Sequence, residues 1–275
     1  LLSAIDFGNQ EPERGSQVHR ELMTPRSLPR LSEDWLRNVE SIDAHIGPDA
    51  RLVMHSDPYS MAADRFRLLR MHLTALGKMK RLKAVMVTSA MPQEGKTVTA
   101  LNLAVGLSER SSGVVLVEMD LRRPALAQRL GVKVRSGLVQ CMQQGLDPLS
   151  AVCRVNPLGI YLLASGGSSS NPIELMNGDG FSRTIQQLRA TFDWVIIDAP
   201  PVIPVPDALA LRSLADGWIW VMRAHKTPRE LARDAMDQIG PQRILAVVLN
   251  EAADRKDLYA SYYNGPGPLM LNSGR

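Results

Sequence analysis

Along the chain, the balance of apolar and polar positions changes character twice. Up to residue 50, Pro, Ser, Gly and charged residues mix without a sustained apolar period, so residues 1–50 are expected to form a flexible or loosely docked arm. A helix is predicted to begin near Asp57-Pro58, with Asp as cap and Pro at the first helical position. Ala62, Phe66, Leu69, Leu73 and Leu76 then recur at helical spacing on one apolar stripe, and Gly77 is the expected stop of this 57–77 helix.

From residue 82 onward, strand and helix signals alternate. The predicted strands are Leu82–Thr88, Val114–Met119, Ile160–Ala164, Trp194–Asp198, Gly217–Met222 and Ile244–Leu249. Between them, helices are predicted over Lys96–Glu109, Pro124–Leu130, Leu138–Gln144, Gly180–Thr191, Asp207–Ala215 and Thr227–Ile239. Several strands are continuous apolar runs, the pattern of strands buried on both faces. The fold expected is α/β, with a mainly parallel sheet flanked by helices on both faces, over a domain at 51–253. After Asp254 the pattern is lost, so 254–275 is expected to be a mobile tail.

Composition adds little until it is resolved by position. The 275 residues hold 32 Lys plus Arg against 28 Asp plus Glu, a net +4 that does not point to nucleic acid. Residues 1–50 carry nine acidic and five basic side chains, whereas 51–83 carry eight basic and two acidic ones. Cys141 and Cys153 make no disulfide framework, and the scattered histidines offer no zinc-ligand spacing. No apolar run approaches the roughly 18–20 residues of a membrane-spanning helix, and the first residues carry no secretory-signal pattern. Tyrosine is scarce: of five, three (Tyr259, Tyr262 and Tyr263) lie in the last seventeen residues.

The strongest chemistry follows the strand Leu82–Thr88. It runs into Ser89-Ala90-Met91-Pro92-Gln93-Glu94-Gly95-Lys96-Thr97-Val98 and then a helix. A Walker A loop needs this strand-to-helix turn, with backbone N–H groups facing phosphate oxygens. It also needs a Lys for the β/γ-phosphates and a hydroxyl for Mg²⁺. Lys96 and Thr97 supply these, although Ala90 stands where the first glycine is usual. A lysine serving only the helix would be misplaced, because a cation opposes the dipole at an N-terminus. Trp194–Asp198 reads as a Walker B strand that delivers a carboxylate to the carboxyl edge of the sheet. Val114–Asp120 does the same with Glu118 and Asp120.

This set resembles the bacterial tyrosine kinases of capsule and exopolysaccharide export (BY-kinases). The resemblance covers roughly residues 57–263. Pro92-Gln93-Glu94-Gly95-Lys96-Thr97 is similar to the family's phosphate loop, and Glu118-Met119-Asp120-Leu121-Arg122-Arg123-Pro124 to its second motif. Asp198-Ala199-Pro200-Pro201, Asn171-Pro172-Ile173-Glu174-Leu175, Asp64-x-x-Arg67-x-x-Arg70 and the terminal tyrosines complete the match. The resemblance implies an ATP- and Mg²⁺-dependent autokinase. In it, residues 91–98 and Asn250 bind nucleotide, and Thr97, Glu118 and Asp198 serve the metal. Lys96, Glu118, Asp120 and Asp198 are implied to carry catalysis. Tyr259, Tyr262 and Tyr263 are the implied acceptors, presented to a neighbour in a ring built through Asp64, Arg67 and Arg70. It also implies a cytoplasmic protein docked on a membrane polysaccharide co-polymerase.

Three positions depart from the family pattern: Glu118 and Asp64 exchange carboxylate types, and the tyrosine cluster is short. Arg67 and Arg70 also read as the solvated face of an amphipathic helix. Two other functions stay open on the sequence. One is an ATP-dependent assembly switch without catalysis. The other is a ParA/MinD-like partitioning ATPase, whose signature lysine position is here Met91.

Overall fold

The structure, a computed structural model, describes residues 2–6, 35, 38–169, 171–176, 179–203, 205 and 207–252. Nine strands form one sheet: β1 (Leu2–Asp6), β2 (Glu40–Asp43), β3 (Ala84–Ser89), β4 (Val114–Glu118), β5 (Cys153–Asn156), β6 (Ile160–Leu163), β7 (Trp194–Asp198), β8 (Gly217–Arg223) and β9 (Ile244–Asn250). Their spatial order is β1-β9-β8-β3-β7-β4-β6-β5-β2. The six strands from β9 to β6 are mutually parallel. At the flanks, β5 runs antiparallel to β6 and β1 antiparallel to β9.

All six residues of β3 are buried, as its unbroken apolar run requires. Side chains alternate between faces, so Val85 and Val87 enter one core while Ala84 and Met86 enter the other. The first core is covered by α2 (Met61–Lys80) and α3 (Lys96–Ser108), through Phe66, Leu69, Leu73 and Leu101. The second is covered by α5 (Leu138–Gln144), α7 (Gly180–Thr191) and α9 (Arg229–Ile239), through Phe181, Ile185, Leu188 and Ile239. Shorter helices are α1 (Val53–Ser56), α4 (Leu126–Leu130), α6 (Pro172–Met176) and α8 (Asp207–Ala210).

Four sequence expectations are corrected. The stretch 1–50 is not simply an arm, because β1 and β2 close the two edges of the sheet. Edge strands pair through backbone groups and need little apolar periodicity; β2 has only Ile42 partly buried. The long helix begins one turn later than predicted, with the Ser60 hydroxyl accepting from Ala63 N. It also runs through Gly77 to Lys80, and Arg81 takes the left-handed position (φ 55°). Gly77 serves close packing instead, since a Cβ there would stand 3.2 Å from the Trp194 ring. Finally, the helix at 207 closes after Ala210, well short of Ala215.

Candidate active site

Because β3, β4, β7, β8 and β9 are parallel, their carboxyl ends reach the same edge of the sheet. Val87 and Glu118 both lie opposite Asp198, Ser89 lies opposite Val221, and Arg223 opposite Asn250. The sheet thus collects the phosphate loop and both carboxylate motifs in one place.

The loop between β3 and α3 is held from two sides. Its first half is fastened to the segment after β7: Val202 N donates to Ser89 O (2.9 Å) and Ile203 N to Ala90 O (2.9 Å). Ala90 is buried with negative φ, so no glycine is required at that position. The second half turns through Gln93 (φ 64°) and Gly95 (φ 100°). A Cβ on Gly95 would lie 2.1 Å from Asn250 Nδ2, so only glycine fits. Asn250 Nδ2 donates to Glu94 O at 2.9 Å, and its Oδ1 accepts from Glu251 N. The residue expected to bind nucleotide is therefore also a brace of the loop. The sequence reading missed the work of Glu94 itself. Its buried carboxylate accepts from Met91 N (2.7 Å) and from the Thr227 hydroxyl.

Lys96 opens α3 and places Nζ 2.9 Å from Asp120 Oδ2, with both residues buried. Asp120 Oδ1 accepts from Arg123 N at 3.1 Å. Asp198 is fully enclosed, and among the described residues its Oδ1 has no hydrogen-bond partner. Burial pushes its carboxyl up to about 7, against the pull of Lys96 and the Thr97 hydroxyl. An orphaned buried carboxylate oxygen beside a threonine hydroxyl is a hard-oxygen donor set, which fits Mg²⁺.

Glu118 behaves differently from what the motif implies. Its Oε1 accepts from Ala125 N (2.5 Å) and Leu126 N (2.6 Å), and its Oε2 from Ser165 N (3.0 Å). The extra methylene carries the carboxylate past the strand end to the free N–H groups that open α4. Both oxygens are thus taken by backbone donors, and among the described residues no hydrogen bond joins Glu118 to the phosphate loop.

A cavity of about 1010 Å³ opens over this edge, lined by Pro92, Gln93, Gly95, Lys96, Thr97 and Val98 of the loop region. Asp120 and Asn250 line it as well, with the cations Arg51, Arg122, Arg123, Arg129 and Arg223. Arg122 is fixed by a two-point pair with buried Asp207, at 2.6 and 3.1 Å. The volume and the basic wall suit an anionic ligand larger than a single phosphate.

Asp64, Arg67 and Arg70 lie away from this cavity. Arg67 bonds Asp64 (3.0 Å) and Glu109 (3.0 Å), while Arg70 bonds Glu109 and Gly106 O (2.9 Å). Neither arginine is simply solvated. Glu109 follows the last turn of α3, where a carboxylate opposes the helix dipole, and the two guanidinium groups reverse that penalty. Burial raises its carboxyl, but the hydrogen bonds from Arg67 and Arg70 overcome this and hold it below the usual range. The clamp therefore stabilises fully above the ordinary glutamate pKa and is lost as pH falls through the depressed value. Glu109→Gln is expected to lower stability by about 1–2 kcal/mol near pH 7. Urea midpoints of the two proteins should converge in acid. The terminal tyrosines Tyr259, Tyr262 and Tyr263 lie outside the described residues.

Comparison with known proteins agrees with this geometry. No family model matches the chain. It is 33% identical over 178 residues to the tyrosine-protein kinase CpsD of Streptococcus pneumoniae serotype 4 (strain ATCC BAA-334 / TIGR4), covering 62% of this chain and 77% of CpsD. It is 29% identical over 221 residues to the tyrosine-protein kinase YwqD of Bacillus subtilis (strain 168), covering 80% and 93% respectively. The succinoglycan biosynthesis transport protein ExoP of Rhizobium meliloti (strain 1021) matches at 27% over 257 residues; the chain spans 32% of ExoP. Among solved structures, the VpsO kinase domain superposes with a TM-score of 0.60 at 29% identity, over 70% of this chain and all of that one. The chimerical protein CapA2B2 gives 0.69 at 22%, over 78% and 96%. MinD of Pyrococcus horikoshii OT3, complexed with Mg-ADP, gives 0.52 at 19%, over 60% and 67%, a likeness of fold alone.

Proposed function

The chain belongs to the bacterial tyrosine-protein kinases, and from that premise we propose that it transfers the γ-phosphoryl group of ATP to its own terminal tyrosines, in polysaccharide synthesis and export. The observation that carries the site assignment is the convergence of the strapped 89–97 loop, Lys96 and Asp120 on one cavity, with the orphaned Asp198 oxygen enclosed at the end of the neighbouring strand β7. Phosphoryl transfer asks the protein mainly for positioning and charge stabilisation, and this edge supplies both.

Thr97 and Asp198 would hold Mg²⁺. Bound there, the ion would supply positive charge against the phosphates. For Lys96 to reach those phosphates it must leave Asp120. That exchange frees the Asp120 carboxylate, which then accepts the proton of an incoming tyrosine hydroxyl. The phenolic oxygen forms the new P–O bond as the bond to the ADP oxygen breaks. With Glu118 held by three backbone donors, Asp120 is the carboxylate available for this proton.

Assembly follows the same logic. Leu68, Met71 and Met79 expose an apolar strip on α2 (53, 60 and 79% accessible) beside the Asp64–Arg70 motif. Such a strip supports self-association into a ring, in which a neighbour's tail reaches the cavity. Among the described residues no helix is long and apolar enough to cross a membrane. The match to ExoP, a transport protein, supports work beside a membrane polysaccharide co-polymerase, at the cytoplasmic face.

The test is incubation of purified protein with labelled ATP and Mg²⁺, followed by mass-spectrometric mapping. Phosphate is expected on Tyr259, Tyr262 and Tyr263, and substitution of all three by Phe should remove most of the label. ATP binding without any tyrosine label would overturn the autokinase reading.

A further inference from the structure

The β8–α9 turn contains Thr227, a residue outside every nucleotide-binding motif in the sequence. It nevertheless touches the phosphate loop. Its hydroxyl accepts from Arg223 N at 2.8 Å and donates to Glu94 Oε1. The other oxygen of Glu94 accepts from Met91 N, inside the loop. Glu94 sits between the two left-handed residues Gln93 and Gly95, where the backbone reverses to present its N–H groups. A chain of bonds therefore runs from the end of β8 through Thr227 and Glu94 to the loop. Arg223, at the head of that chain, lines the cavity and pairs through its guanidinium with Glu251.

We propose that Thr227 is a positioning residue for phosphate binding: its hydroxyl holds the Glu94 carboxylate so that the 91–95 turn keeps the shape that receives the β- and γ-phosphates. A glutamate in a phosphate-binding loop is otherwise unfavourable, because its charge repels the ligand. Here two donors bind that charge on the side of the loop away from the cavity, since Glu94 is buried and absent from the cavity lining. Without the hydroxyl, one carboxylate oxygen loses its donor and the side chain gains reason to rotate toward solvent. The 91–95 turn would then be held at Asn250 alone on that flank. The proposal rests on reading residues 89–97 as the ATP loop.

Thr227→Val keeps the side-chain shape and removes the hydroxyl, both the donor to Glu94 and the acceptor of Arg223 N. Loss of a hydrogen bond to a charged group predicts a KM for ATP raised about 10- to 100-fold, with kcat changed much less. Thr227→Ser should restore KM to within about threefold of wild type, since the same hydroxyl returns. ADP binding, followed with a fluorescent ADP analogue in EDTA, should weaken in Thr227→Val by the same factor as KM. Thr227→Val combined with Glu94→Gln should be less than additive, because both changes break one chain of bonds. A Thr227→Val protein that binds ADP as tightly as wild type overturns the proposal. So does one whose losses are matched by a fall in thermal stability that Thr227→Ser does not repair. Wild-type protein that binds no nucleotide at all would instead overturn the reading of the loop.

Discussion

Lys96→Met is expected to reduce autophosphorylation by at least about 10³-fold, as befits the loss of a cation from a site that works by charge stabilisation. The same substitution should also destabilise the fold, for a separate reason. Lys96 and Asp120 form a buried pair at 2.9 Å. Removing the lysine leaves a carboxylate with one backbone donor, Arg123 N, in a poorly solvated place. Breaking a buried pair from one side costs about 3–5 kcal/mol. Asp120→Asn in the Lys96→Met background removes that stranded charge. The double variant should regain most of the urea midpoint and none of the activity. A Lys96→Met protein with more than a tenth of wild-type labelling would show that another cation serves the phosphates.

Much of this was legible in the sequence, and the reason is physical. Continuous apolar runs such as Val85–Val87 and Val195–Ile197 are buried on both faces, so they announce a parallel sheet without further context. A parallel sheet puts its strand ends on one edge, so Lys96, Asp120 and Asp198 could be grouped before any coordinates. What escaped was whatever depends on a side chain choosing between two destinations. Glu118 lies in the expected motif, yet its longer stem finds the N–H groups of Ala125 and Leu126. Arg67 and Arg70 match an assembly motif, yet in this chain they grip Glu109, far along the sequence just past the end of a different helix. Thr227 carried one local signal, a threonine before Pro228, which reads as a helix start and says nothing of Glu94. Edge strands escaped for the opposite reason: β1 and β2 are joined by backbone pairing, which leaves almost no trace in side-chain pattern.

Asp198→Asn should separate stability from function in the reverse sense to Lys96. The wild-type carboxyl is raised by burial to about 7 in the folded protein, against an ordinary value of 3.8. A folded value above the unfolded one means the folded state holds its proton more tightly. Stability is then highest in acid, falls as pH rises between the two values and levels off above the folded one. At pH 8 the ionised group is buried with an unpartnered oxygen, which opposes folding by something on the order of 2–4 kcal/mol. Asparagine carries no charge, so in EDTA the variant is expected to be more stable than wild type at pH 8, with the difference shrinking toward pH 5. Mg²⁺ with ADP should then raise wild-type stability at pH 8 and leave Asp198→Asn nearly unmoved, while autophosphorylation falls by about 10²-fold or more. Equal Mg²⁺ responses in the two proteins would remove Asp198 from the metal site. Unequal responses would show why a buried carboxylate stands at the end of β7: binding of the ion contributes more than the burial costs.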